Sequence, residues 1–191
     1  EDGQWLTIDG ARLWRLDVHC TDAFAVRLFL RDMDLPVGGE VWTSTPDGSE
    51  ATMLMGTGPF GDGAGYVRTT VGDTARIEYY VPDADASIES QPLPFQIDHV
   101  QHNYKASAFG GDAIAAAVEP CHLDRTCYPD YDEVSEACCT IGISGGFVCS
   151  GTLLATVVAD GTPYFTTARH CVSSSSQAHS LEARWDYETN V

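Results

Sequence analysis

Apolar and polar residues alternate in short runs through the first hundred residues. In the run 11–20, ARLWRLDVHC, the positions Trp14, Leu16 and Val18 share one face of an extended chain. A period of two is typical of a β-strand with one buried face. Comparable runs follow at 23–36, 39–48, 65–70, 75–82 and 94–104.

Turn-forming residues separate these runs. The segments TPDGS and VGDT carry the Pro, Asp and Gly residues that favour tight turns between strands. Many short strands joined by such turns predict an antiparallel β-sandwich. We therefore expect residues 1–104 to form an all-β, jelly-roll-like sandwich that serves as an accessory domain or pro-domain.

The composition changes to small residues at 105–118, KASAFGGDAIAAAV, which predicts a linker with one helical turn in AIAAAV. Short apolar runs then resume at 138–144, 146–158, 163–169 and 180–188. We expect a second all-β domain over 119–191.

Charge and hydropathy exclude some classes of partner and location. The chain has 28 acidic and 10 basic residues, a net charge of -18, which disfavours nucleic acid and anionic membranes as partners. No run of about 18 apolar residues predicts a membrane-spanning helix. Because the chain begins at Glu1 without a signal peptide, we expect it to be processed, trimmed or partial.

Seven cysteines are present, and six of them lie between 121 and 171. That density predicts disulfides and an oxidising, extracellular location. The odd number leaves at least one thiol free or paired outside the chain. Neither CxxC spacing nor a matching pair of histidines is present, so no metal or other cofactor is expected.

Four ordered segments of the second region resemble a trypsin-like serine protease, and most closely the bacterial lysyl endopeptidase group. The segments are CHLDRTC (121–127), CSGTLL (149–154), YFTTARHC (164–171) and ARWDYET (183–189), and the resemblance spans roughly 120–190, about a third of the chain.

This resemblance implies roles for particular residues. His170 would be the general base, oriented by an Asp and paired with a nucleophilic Ser. A disulfide between Cys149 and Cys171 would fix the turn that carries His170. Cys121 and Cys127 would bond to cysteines beyond residue 191, while the pairing of Cys20, Cys138 and Cys139 stays open.

The other triad members are not evident in the sequence. The segment GISGG (142–146) looks like the motif around a protease serine, but it precedes His170. In trypsin-like proteases the order along the chain is His, Asp, Ser, so we interpret Ser144 as a turn residue. The acids that follow His170 come too early for the catalytic Asp, and no GDSGG is present. We therefore expect an incomplete trypsin-like barrel, inactive alone, whose partners are the missing C-terminal protease segment and the protein or peptide substrate of the parent enzyme.

A different hypothesis is a secreted, non-enzymatic binding module with a degenerate protease remnant, directed at carbohydrate or another surface. The aromatic residues that would stack on sugars are Trp14, Trp42, Tyr79 and Tyr80, although aromatics at strand spacing more often belong to a core. Asp62 and Asp112 are candidate calcium ligands, although an ordinary Asp turn is favoured at both.

Lys105 is the only lysine and lies in the predicted linker. If the parent enzyme cleaves after lysine, as the resemblance implies, Lys105 is a candidate self-processing site. A single exposed lysine in a linker is equally compatible with no role.

Overall fold

The computed structural model describes residues 3–104, 127–144, 147–158 and 160–185. The chain divides into two compact units, Glu1–Lys105 and Ala106–Val191. The predicted linker at 105–118, with its helical turn, lies outside the described residues.

The first unit consists of short strands and one 3-10 helix, Ala86–Ser90. The strands are β1 (Gln4–Ile8), β2 (Ala11–His19), β3 (Ala25–Arg31), β4 (Glu40–Ser44), β5 (Thr52–Met55), β6 (Gly65–Tyr66), β7 (Thr70–Val71), β8 (Thr74–Val81) and β9 (Gln96–Asn103).

These strands form two antiparallel sheets. One has the order β1-β2-β8-β4-β5, and in the other β3 pairs with β6 and β7 on one side and with β9 on the other. Strand β8 alternates strictly between buried and partly exposed residues, because one of its faces contacts the core. The alternation read from the sequence therefore has its expected physical cause.

A single apolar core takes residues from both sheets. Val26, Leu28 and Leu30 of β3 belong to the same buried cluster as Val41 of β4 and Ile77 of β8. Burying side chains of this size stabilises the fold by about 1.5–3 kcal/mol each. The all-β class predicted from the sequence is confirmed, and the jelly-roll topology stays a prediction.

The second unit contains a four-stranded antiparallel sheet and short helices. Its elements are a 3-10 helix (Pro129–Tyr131), α1 (Asp132–Ser135), β10 (Cys138–Ile143), β11 (Phe147–Leu154), β12 (Tyr164–Thr167), α2 (Ser175–His179) and β13 (Glu182–Trp185). The strand order is β12-β11-β10-β13, and these strands form an open sheet rather than a closed barrel within the described ranges. Membership of a trypsin-like barrel stays a prediction.

Several elements differ from the sequence interpretation. Strands β1 and β5 were not predicted, and the run 65–70 splits into the two short strands β6 and β7. The helix α2 was also not predicted, because its serine-rich sequence has no apolar period. The side chain of Ser174 caps it by accepting a hydrogen bond from the Gln177 amide.

Gly151 should be intolerant of any side chain. It lies on β11 opposite Thr167 of β12, and a Cβ added there would overlap the ring of Phe165. We expect Gly151→Ala to lower the free energy of unfolding by about 1–3 kcal/mol through overpacking. Urea unfolding would measure the change. Ser150→Ala at the neighbouring exposed position is the control, with an expected change within about 0.5 kcal/mol. Equal stability of both variants would contradict this packing.

Candidate functional site

His170 lies in a tight turn directly after strand β12. The Cys171 amide donates a hydrogen bond to the Ala168 carbonyl at 2.9 Å, which makes Arg169 and His170 the two central residues of the turn. Both central residues are exposed. The turn therefore presents an imidazole and a guanidinium together to solvent.

The strand that leads into this turn is held at its end. Thr167 pairs with Gly151 of β11, and the Thr167 hydroxyl donates to the Ser150 carbonyl at 2.8 Å. The chain thus leaves the sheet at a defined residue, immediately before Ala168.

A disulfide holds the far side of the turn. Cys149 of β11 is bonded to Cys171, which is buried in the core of this unit with Ile141 and Ile143. A ring nitrogen of His170 and the two sulfur atoms all lie within 4.8 Å of one another. Because both sulfurs are in the disulfide, this group offers no thiolate to a metal ion. The bond between Cys171 and Cys149 instead restricts the position of the adjacent His170.

Ser144 is a turn residue between β10 and β11, with a positive φ of 49°. Its amide donates to the Ser180 hydroxyl at 2.9 Å, and that hydroxyl donates to the Gln177 carbonyl at 2.8 Å. The Ser144 hydroxyl lies 3.2 Å from the Ser180 hydroxyl. Ser144 is therefore bound to the end of α2 and makes no hydrogen bond to His170.

The acids that follow His170 in sequence do not orient it in the described part of the chain. Glu182 is partly buried on β13, opposite Gly142, while Asp186 and Glu188 lie outside the described residues. No carboxylate among the described residues forms a hydrogen bond or ion pair with His170. An orienting acid, if one acts, has to come from elsewhere.

The remaining cysteines differ in environment. Cys127 and Cys138 are exposed and free, and Cys20 is free and partly buried. Cys139 is buried, and burial raises the pKa of its thiol, which keeps that sulfur protonated and unreactive. Cys121 lies outside the described residues, so the pairing predicted for Cys121 and Cys127 stays a prediction.

The four aromatics of the sugar-binding hypothesis do not share a face. Trp14 and Tyr79 are buried in the core of the first unit, as expected for aromatics at strand spacing. Trp42 and Tyr80 are partly exposed and lie on the opposite face of the sheet. The proposed four-residue stacking face is therefore wrong.

Of the two candidate calcium ligands, the structure describes only Asp62. The Asp62 carboxylate accepts a hydrogen bond from the Ala64 amide at 3.1 Å, which is the geometry of an Asp turn. Asp112 lies outside the described residues. Lys105 likewise lies outside them.

A hydrogen-bonded side-chain group on β9 was not anticipated from the sequence. His99 lies 3.1 Å from the Tyr66 hydroxyl and 2.9 Å from the Asp98 carboxylate, and it stacks on Phe29. The hydrogen bond from His99 is the main cause of the lowered pKa of Asp98. Tyr66 is 33 residues away in sequence, and only strand pairing brings it to His99.

One comparison with known proteins gives a match, and it covers most of the second unit. Residues 116–191 match the family described as lysyl endopeptidase, C-terminal domain, over less than half of the chain. No curated protein and no solved structure matches. Within the described ranges, none of the helices is both long and apolar enough to span a membrane.

The described part of the second unit thus carries an exposed histidine beside a disulfide. Residues 116–191, which include this histidine and disulfide, are similar to the C-terminal domain of lysyl endopeptidases.

Proposed function

We propose that this chain supplies the general-base histidine, His170, of a secreted serine endopeptidase. The observation that carries the proposal is the position of His170, exposed in a turn tethered by the Cys149–Cys171 disulfide, inside the region that matches lysyl endopeptidases. A serine protease needs an imidazole held beside its nucleophile and open to substrate. An exposed ring on a tethered turn is restricted in position and open to substrate, which supports the proposal.

The catalytic Asp and Ser are proposed to lie beyond Val191 in the parent enzyme. Ser144 is bound to Ser180, and the sequence holds no GDSGG after His170. The oxyanion-binding amides would come from the same missing segment. The protein substrate would therefore bind between His170 and the catalytic groups that lie beyond Val191.

The experiment compares two proteins, the polypeptide 1–191 and the complete gene product. Both are tested on peptides that contain a single lysine. We expect cleavage after lysine by the complete gene product and none by 1–191. Turnover by 1–191 that His170→Ala abolishes would contradict the assignment of Asp and Ser to another segment. No cleavage by the complete gene product would favour the non-enzymatic binding module.

Secretion is part of the proposal. It is supported by the disulfide, which persists in oxidising compartments, and by the match to an endopeptidase family. The strongly acidic balance also disfavours binding to nucleic acid or to anionic membranes.

We further propose that the parent enzyme releases its first unit by cutting after Lys105. Lys105 is the only lysine, and the first compact unit ends at this residue. An enzyme specific for lysine would find one cleavable bond in these 191 residues, at the junction of the two units. Residues 1–105 would then be a pro-domain or accessory domain that is separated on maturation.

In the complete gene product, Lys105→Gln should prevent this release. We expect the unmodified protein to give a product that begins at Ala106, and the variant to remain joined across that bond. Mass spectrometry and N-terminal sequencing would measure both. Arg125→Gln, which changes the next arginine along the sequence, is the control and should be processed normally. Processing of the Lys105 variant at an unchanged position would contradict the assignment.

A further inference from the structure

Arg169 has no counter-charge among the residues that the structure describes. Arg12, Arg15, Arg31 and Arg76 each form ion pairs with carboxylates. Arg169 has neither a hydrogen bond nor an ion pair to any residue the structure describes. Arg68 of the first unit is exposed and without a partner among the described residues as well, so the missing counter-charge does not by itself assign a role to Arg169.

The position of Arg169 beside His170 is what suggests a role for it. Arg169 and His170 are the two central residues of the turn closed by the Cys171 amide and the Ala168 carbonyl. Consecutive Cα atoms are about 3.8 Å apart, so a guanidinium on its flexible stem lies within reach of whatever the imidazole contacts. The charge is therefore presented at the same place as the general base.

The chemistry of the general base indicates which part of a substrate lies there. The histidine of a serine protease returns its proton to the leaving amine, which belongs to the residue after the scissile bond. The substrate side chains that follow the scissile bond would therefore be the ones that contact Arg169. A carboxylate is the side chain that a planar, permanently charged guanidinium binds best.

We propose that Arg169 is a specificity-determining residue that favours peptides with Asp or Glu at the first or second position after the scissile bond. This inference rests on the proposed endopeptidase function and adds a substrate class to it. The contact is exposed to solvent, so its strength is that of a surface ion pair, which corresponds to a preference of about 1.5- to 5-fold.

The test uses the complete gene product and two matched peptides, each with one lysine, followed by Asp-Glu in one and Asn-Gln in the other. For each peptide, kcat/KM is measured at low and at high salt. We expect the acidic peptide to be preferred by about 1.5- to 5-fold at low salt, and the preference to shrink at high salt. A structural role for Arg169 would lower both rates together and leave their ratio unchanged.

Four variants make the result specific. Arg169→Ala should remove the preference, Arg169→Glu should reverse it, and Arg169→Lys should keep most of it. Arg68→Ala is the control, because Arg68 is also exposed without a partner among the described residues but belongs to the first unit. It should keep the preference in full.

The outcomes separate the two proposals. Cleavage after lysine with equal kcat/KM for both peptides, or with the same ratio in wild type and Arg169→Ala, overturns the inference and leaves the endopeptidase proposal standing. Failure of the wild-type protein to cleave either peptide overturns both.

Discussion

Replacing His170 by alanine should reduce the peptidase activity of the complete gene product by about 10⁴-fold or more, with the loss in kcat. The imidazole is the group that would take the proton from the nucleophile and return it to the leaving amine, and no other side chain of the turn can do so. A residue that only shaped the turn would affect substrate binding and stability instead. Single-turnover and steady-state rates on a one-lysine peptide would measure the change.

His102→Ala is the control for this experiment. His102 is an exposed histidine of β9 in the first unit, so its removal should leave kcat unchanged. Circular dichroism and urea unfolding of both variants would show whether the fold is retained. A His170→Ala protein that is folded and keeps more than a tenth of wild-type kcat would contradict the role of His170.

Removing the Cys149–Cys171 disulfide should destabilise the second unit by about 3 kcal/mol. The two cysteines are 22 residues apart, and their bond limits the conformations of the unfolded chain between them. The double variant Cys149→Ser/Cys171→Ser removes the bond without leaving a single reactive thiol. Hydrogen exchange at the Ile141 and Ile143 amides would report the local stability of the sheet.

Cys138→Ser is the matched control, because Cys138 is an exposed, free cysteine on the adjoining strand. Its replacement should change stability by less than about 0.5 kcal/mol. In the complete gene product, the double variant should also lose activity, since the turn that carries His170 is no longer tethered to β11. Unchanged hydrogen exchange together with unchanged activity would show that the disulfide has neither role.

The strongly periodic strands were predictable because their pattern has a local cause. Strand β8 alternates since one face packs in the core, and Trp14, Leu16 and Val18 of β2 likewise lie in or against that core. Both sets of apolar positions are visible in the sequence. Strands β1 and β5 are short and lie at the two edges of their sheet, so pairing with a neighbour rather than their own pattern defines them. The group of Tyr66, His99 and Asp98 was unpredictable for a related reason, because it depends on long-range register.

The candidate site was predictable only through family resemblance. A histidine next to a cysteine is a common dipeptide, and nothing in the spacing of Cys149 and Cys171 implies that they bond. The ordered segments around them suggested the tethered turn. The exposure of Arg169 next to His170 required the structure, because sequence shows which residues are neighbours but not which way a turn presents them.

Chemical labelling of His170 tests the central claim most directly. A lysine chloromethyl ketone binds like a substrate and alkylates the imidazole of a catalytic histidine held beside the scissile bond. With the complete gene product, we expect one adduct, located by mass spectrometry on the peptide that contains His170, and we expect inactivation in proportion to labelling. Full inactivation with no adduct at His170, or labelling of His102 to the same extent, would contradict the assignment of His170 as the general base.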